Sequence, residues 1–230
     1  MAQRIDARLA SAAYFVREGS VFCDVGTDHG YLPIYLLQSG RILRAIATDI
    51  GEGPLASARK NLAEVGLLDR VKLVRTDGLQ GLADEGVRDI AICGMGGELI
   101  CRILDDAPFV RDPAIRLILQ PMTHASDLRR YLTENGFCIE EERLSLAASR
   151  VYTCLSVSYD AVCRTPEPAA IAFGMPPQKD PAQRALYLSM LTRARAKLVK
   201  QIRGKETGGR SAAAERNLLT SCEKLIDECR

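Results

Sequence analysis

The 230-residue sequence predicts an α/β protein: a doubly wound, mostly parallel sheet of seven strands followed by a C-terminal antiparallel pair of helices with a coiled-coil-like seam. Three observations carry this reading. Apolar strand-like runs alternate with helical periodicity five times, then two strand-like runs follow each other with no helical pattern between them. The last fifty residues carry apolar positions at spacings of three and four, interrupted once by glycines.

Ile5, Leu9, Ala12, Ala13 and Val16 recur at helical spacing, so a helix over 4–17 leads into a first strand at Val21–Asp24. After Pro33 the run Ile34–Gln38 is helical and ends at Gly40. Ala45–Ile50 is an apolar run with an acid, Asp49, near its end; a helix through Leu55–Val65 follows, with Pro54 in its first turn and Gly66 past its end. Val71–Asp77 reads as the third strand, Asp89–Cys93 as the fourth with a helix from Glu98 to Leu104, and Ile115–Leu119 as the fifth with a helix over Ser126–Glu134. Phe137–Glu142 and Val151–Tyr159 then form an antiparallel hairpin. The expected division is a body over 1–160, a linker over 161–179 marked by Pro166, Pro168, Pro176 and Pro177, and a helical hairpin over 180–230. Asp180 and Pro181 suit the N-cap and first position of its first helix. One seam is Tyr187, Leu191, Ala194, Leu198 and Ile202; Ser211 can cap a second helix whose seam is Ala214, Leu218, Cys222, Leu225 and Cys229.

With 47% hydrophobic residues the chain can bury a full core, and no apolar run approaches the roughly 18 residues of a membrane span. A signal-peptide pattern is absent from its start, so a cytoplasmic location is expected. Eight cysteines never form C-x-x-C and there are two histidines, so zinc-ligand spacing is missing, no metal is expected and the thiols are read as reduced. The net charge of +2 hides an asymmetry. Residues 1–160 carry 18 Lys+Arg against 22 Asp+Glu, and residues 161–230 carry 13 against 7. A basic appendage on a mildly acidic body fits a polyanionic partner, although a solvated helix face has the same composition.

The chemistry concentrates in the first strand-to-helix turn, Asp24-Val25-Gly26-Thr27-Asp28-His29-Gly30. A dinucleotide-binding turn reads G-x-G-x-x-G and offers backbone N–H groups to a pyrophosphate. Here Asp28 stands where the second glycine would be, and Asp24 precedes the first, so two carboxylates would repel a pyrophosphate. They favour S-adenosylmethionine, which is cationic at sulfur and nitrogen and has no phosphate. The plainer alternative is a polar turn in which Asp28 caps the next helix. Asp49, with Ile50 beside it, is placed to accept from ribose hydroxyls. Asp77, with Gly78 and Leu79, is placed to accept from an adenine amino group, and Asp24 and Asp28 face the methionine end with Gly26, Thr27 and His29. Gly94-Met95-Gly96-Gly97 lies where an acceptor would enter, with bare backbone and Met95 as an adaptable wall; a tight strand-to-helix turn with Met95 in the core is the alternative. His29 is a proton acceptor or base contact, or caps its own turn; His124 caps the following helix or sits in solvent.

Taken together, Asp24-Val25-Gly26-Thr27-Asp28-His29-Gly30-Tyr31-Leu32-Pro33, Asp49 with Gly53-Pro54-Leu55, Asp77-Gly78-Leu79, Gly94-Met95-Gly96-Gly97 and Leu119-Gln120-Pro121 resemble the bacterial tRNA (adenine(22)-N1)-methyltransferases. The resemblance spans about Arg4 to Tyr159, and the helical hairpin is similar to that family's C-terminal coiled coil. Met122 is a departure, since a polar residue, usually Asn, is expected after Gln-Pro. The resemblance implies a Rossmann-like fold, S-adenosylmethionine as methyl donor and tRNA as acceptor. It implies Asp28, His29 and Met95 at the reaction centre, Gly94, Met95, Gly96 and Gly97 with Gln120 and Pro121 walling a flipped-out adenine, and Arg193, Arg195, Lys197 and Lys200 on tRNA phosphates. A small-molecule methyltransferase or a non-catalytic cofactor-binding scaffold would share the acidic turn. The number of copies in the active assembly is left open.

Overall fold

The structure is a computed structural model that describes residues 3–177 and 180–229; Met1, Ala2, Gln178, Lys179 and Arg230, at the ends of the expected segments, lie outside the described residues. Helix α1 (Ala7–Phe15) precedes strand β1 (Phe22–Val25), and α2 (Tyr31–Gln38), β2 (Ala45–Asp49), α3 (Glu52–Glu64) and β3 (Val71–Arg75) complete the first half. The second half is β4 (Asp89–Gly96), α4 (Gly97–Asp105), β5 (Arg116–Thr123), α5 (Ala125–Glu134), β6 (Phe137–Ala147) and β7 (Arg150–Tyr159). Then follow α6 (Pro168–Phe173), α7 (Pro181–Thr207) and α8 (Ala213–Glu228).

The seven strands lie in the order β3-β2-β1-β4-β5-β7-β6, with β1 to β5 mutually parallel and β7 antiparallel to both β5 and β6. The expected sheet is therefore present. Its order reverses beside β1, where β1 lies between β2 and β4, and crossover loops diverge there to leave a crevice. Each face carries its own apolar core. One buries Ala12, Phe15, Ile34, Leu62 and Ile118 under α1 to α3, and the other buries Ile92, Ile100, Leu119, Leu128 and Phe137 under α4 and α5.

Several boundaries differ from the sequence reading. β3 stops at Arg75, so Asp77 stands in the following loop. β4 and β5 run three or four residues further than their apolar stretches, through Gly96 and Thr123, with register shifts around Gly94 and Met95 where the ladder continues. The proline-rich segment is more than a linker: Pro168 starts α6, Glu167 caps it by accepting from the Ala170 N–H, and Ala169, Ile171 and Phe173 are buried. Ala169 and Phe173, with Leu144, Tyr187, Leu191, Leu198, Cys222 and Ile226, build a third core that fastens the hairpin to β6. Asp180 caps α7 by accepting from the Ala182 and Gln183 N–H groups, as its sequence indicates. In α8 the seam includes Ile226 while Ala214 is exposed; Ala212 occupies the N-cap position, and the Ser211 hydroxyl accepts from the Ala213 N–H at 3.4 Å.

Candidate active site

The crevice beside β1 divides into two hollows that share Gly26. The larger, about 280 Å³, has Asp6 and Arg8 of α1 on one side, Asp24, Thr27, Asp28 and His29 on another, and Gly94 with Gln120 at the back. The smaller, about 160 Å³, has Asp49, Ile50, Asp77, Gly78 and Met95 on its walls. Met95 stands between them. Gly26 has a positive φ of 71°, which favours glycine, and a Cβ there would lie 2.3 Å from the Met95 methyl carbon and push that flexible side chain aside.

The backbone of the first turn explains what the site can hold. The N–H groups of Gly26 and Thr27 both donate to the Thr48 carbonyl, at 2.8 and 2.9 Å, so these two are not offered to a phosphate. Instead a carboxylate faces the hollow. Asp24 is buried and accepts one hydrogen bond from the Thr27 hydroxyl at 2.7 Å. Burial raises its pKa to about 6; the Thr27 bond opposes the rise and the Asp49 charge adds to it. A buried acid short of partners is suited to a cation. Asp28 takes the left-handed conformation at φ 51°, which aspartate tolerates better than most residues, and points its exposed carboxylate to within 3.5 Å of the His29 ring. That ring stacks on Tyr31 with centroids 5.2 Å apart. Asp28 therefore does not cap α2, whose N-cap is Gly30 without a side-chain bond.

Asp49 Oδ1 accepts from the Gly51 N–H at 2.8 Å, which orients the carboxylate. Asp77 faces Arg102 at 3.4 Å in a solvent-screened pair that is readily given up. Gln120 is buried; its amide oxygen accepts from the Gly94 N–H at 3.2 Å and its nitrogen donates to the Pro121 carbonyl at 3.1 Å, so its orientation is fixed. Gly94, at φ 79°, has open space where a side chain would stand.

Not all expected residues meet in the crevice. Leu79 sends its side chain into the core. Gly97 is absorbed in packing, since a Cβ there would lie 2.3 Å from the His124 carbonyl oxygen, and neither it nor Gly96 or Pro121 lines the two hollows. Arg193, Arg195, Lys197 and Lys200 all lie on α7, where Arg193 donates to the Ser149 carbonyl at 2.7 Å and Arg195 pairs with Glu223 at 2.9 Å. His124 stands at the N-cap of α5 at φ 57°, but its ring makes no cap bond; it lies 2.8 Å from Glu98 and 3.4 Å from Asp127. These three exposed side chains could gather around a cation, but they sit at the first turns of α4 and α5, whose dipoles already favour the carboxylates without one.

Sequence reasoning missed Arg8. Its guanidinium enters the larger hollow, paired to Asp6 at 2.5 Å, over the Tyr152 ring at 5.7 Å and with one nitrogen 3.0 Å from the Met122 sulfur. The available signal was Asp6, a helix N-cap that accepts from the Arg8 and Leu9 N–H groups and so fixes Arg8 in the first turn.

Residues 5–155 match the methyltransferase-domain family. The chain belongs to that family. It is 32% identical over 152 residues to the tRNA (adenine(22)-N(1))-methyltransferase of Bacillus subtilis, a match that spans 66% of this chain and 64% of the relative. It is also similar over nearly its whole length to two solved structures. A Streptococcus agalactiae protein of the NADB-Rossmann superfamily is 29% identical with a TM-score of 0.84, covering 98% of this chain and 99% of that one. Streptococcus pneumoniae Sp1610, solved in complex with S-adenosyl-L-methionine, is 29% identical with a TM-score of 0.81, covering 97% and 100%. These likenesses extend through α7 and α8, and they agree with the Rossmann-like fold and the family resemblance read from the motifs.

Proposed function

We propose that the protein transfers a methyl group from S-adenosylmethionine to N1 of adenine 22 in tRNA, acting in the cytoplasm. The observation that carries the cofactor half is the first turn: two backbone N–H groups are spent on Thr48, while a buried, partner-poor carboxylate, Asp24, faces the hollow. Such a turn fits a cationic, phosphate-free ligand. Arg8 stands across the same hollow, so the two charges match an ammonium and a carboxylate on one ligand. Asp49 has one oxygen left for ribose hydroxyls, and Ile50, Asp77 and Gly78 border the space for an adenine ring. Bound there, S-adenosylmethionine supplies an electrophilic methyl group.

The chain's own residues then have positioning work to do. Adenine N1 carries an in-plane lone pair, so alignment contributes more than a strong base. Because N1 lies on the pairing edge, the base enters unpaired, and the bare Gly94 surface beside the oriented Gln120 amide gives a flat base room. Methylation leaves a positive charge on the base, and the exposed Asp28 carboxylate with His29 lines the same hollow. The basic α7 meets the tRNA backbone. The likeness to the Bacillus subtilis enzyme supports adenine 22 as the acceptor.

The test is incubation with labelled S-adenosylmethionine and unmodified tRNA, followed by nucleoside analysis and position mapping. The expected product is 1-methyladenosine, absent when adenine 22 is replaced by guanine. Cofactor binding without any labelled tRNA would overturn the substrate assignment.

A further inference from the structure

Helix α7 is fixed to the body at three heights. Near its start the Gln183 side chain, buried, makes both main-chain bonds of Leu144: it accepts from the Leu144 N–H at 2.6 Å and donates to the Leu144 carbonyl at 2.9 Å. Since β6 is the last strand of the sheet, this amide stands in for the peptide group of a further strand. One turn later the buried Tyr187 hydroxyl donates to the Gly174 carbonyl at 3.1 Å. Two turns beyond that, Arg193 donates to the Ser149 carbonyl in the β6–β7 turn. Gly174 cannot vary, because a Cβ there would lie 2.5 Å from a Glu142 oxygen and 2.8 Å from Arg129.

These contacts also set direction. β6 and β5 are both antiparallel to β7, so β6 runs from Leu144 to the turn toward the same end of the sheet at which Asp24 and Asp49 stand. α7 climbs with it, from Leu144 beside Gln183 to Ser149 beside Arg193. It therefore projects past the cofactor end of the sheet, carrying Lys197 and Lys200 about 6 and 10 Å beyond the Arg193 contact at 1.5 Å per residue. Four other cations of the hairpin are paired within it: Arg195 with Glu223, Lys205 with Glu215, Arg216 with Glu206 and Lys224 with Glu228. Lys197, Lys200 and Arg203, three residues apart, have no ion-pair partner among the described residues.

We infer that α7 is a ruler: its docking on β6 and β7 fixes the height of the Lys197-Lys200-Arg203 stripe above the cleft, and that height selects which nucleotide of a bound tRNA reaches the cofactor. The inference rests on reading the stripe as a contact to the tRNA backbone. Gln183 is then a positioning residue, remote from the reacting atoms.

The test lengthens the ruler. Seven residues are inserted after Arg195 in α7 and seven before Ser221 in α8, which keeps the apolar seam in register and moves the stripe outward by about 10 Å. Expected results are a dissociation constant for S-adenosylmethionine within twofold of the parent chain, tRNA affinity within about threefold, and methylation of adenine 22 reduced at least tenfold or moved to another adenine. Unchanged methylation at adenine 22 would overturn the ruler. Gln183→Ala is the second variant, for which kcat falls about three- to tenfold with little change in KM for tRNA, and other adenines gain label; unchanged kcat and site choice overturn the inference independently. Lys197→Glu with Lys200→Glu tests the underlying contact separately, since unaltered tRNA affinity there removes the stripe reading whatever the other variants do.

Discussion

Two buried carboxylates, Asp24 in the cleft and Glu142 beneath α6, show how differently one chain treats the same group. Glu142 receives the Arg129 guanidinium through two bonds at 2.9 and 2.7 Å, the Thr153 hydroxyl at 2.9 Å and the Met175 N–H at 3.3 Å. Asp24 has the Thr27 hydroxyl and a repelling acid, Asp49, nearby. The first is a satisfied charge that ties α5, β6 and the segment before α7 together, with Arg129 also donating to the Ile171 carbonyl. The second is short of partners in a site open to ligand. Burial alone does not separate structure from function here; the number of partners does.

Breaking the satisfied carboxylate has the largest expected effect. Arg129→Ala leaves Glu142 buried without its countercharge, and should cost about 3–5 kcal/mol of stability in a denaturant or thermal melt. Replacing both residues with Arg129→Met and Glu142→Leu removes the orphaned charge and should recover most of that stability. It should not recover tRNA methylation fully, because the bonds to Ile171 and Met175 that hold the α6 segment are lost. Equal loss of stability in the single and double variants would contradict the reading of this pair.

Asp24→Asn should do the reverse. The Thr27 bond can survive, and a charge held above its ordinary pKa is removed, so the ligand-free protein should be no less stable at pH 7 and above. The sign follows from the raised pKa: the folded state holds the proton more tightly than the unfolded chain, so Asp24 stabilises below about pH 4 and costs stability as pH rises through about 6. Binding of S-adenosylmethionine should weaken by about 10- to 100-fold, the range of one lost charged contact at about 1.5–3 kcal/mol. In the parent chain affinity should fall as pH drops through about 6, because a proton competes with the cation at Asp24. Calorimetric titration between pH 5 and 8 should show that slope in the parent and a flat profile in the variant.

This contrast also explains which parts were legible in the sequence. The parallel sheet was legible because its strands are buried on both faces and read as apolar runs, and the acids at their ends stand out against them. Asp24, Gly26, Asp28, Asp49 and Gly94 could be found in that way. Arg8 could not, since its place in the cleft depends on α1 lying over β7, a contact between residues more than a hundred positions apart. The Arg129–Glu142 pair was hidden for the same reason, and α6 was hidden because its short apolar run sits among prolines that mark a linker as readily as a helix start. Gly97 looked like a bare binding surface because the sequence does not reveal the His124 backbone packed against it.

The smallest effect lies in the turn that receives Arg193. Ala148 and Ser149 both have positive φ, 45° and 62°, at the two central positions of the β6–β7 connection, where Asn-Gly or Gly-Gly would be relaxed. Ala148→Gly relieves a left-handed alanine while adding backbone freedom to the unfolded chain, so the net gain should be about 0.5–1 kcal/mol, a rise of about 1–4 °C in Tm. Unlike either carboxylate, this turn stores strain without burying charge, and the sign of its effect on catalysis is informative. If the Ser149 carbonyl only decorates the surface, the stabilised variant should methylate tRNA at the parent rate. If the strained turn holds that carbonyl at the height Arg193 requires, stability should rise while kcat on tRNA falls by about two- to threefold, with cofactor affinity unchanged; that divergence is the expected result.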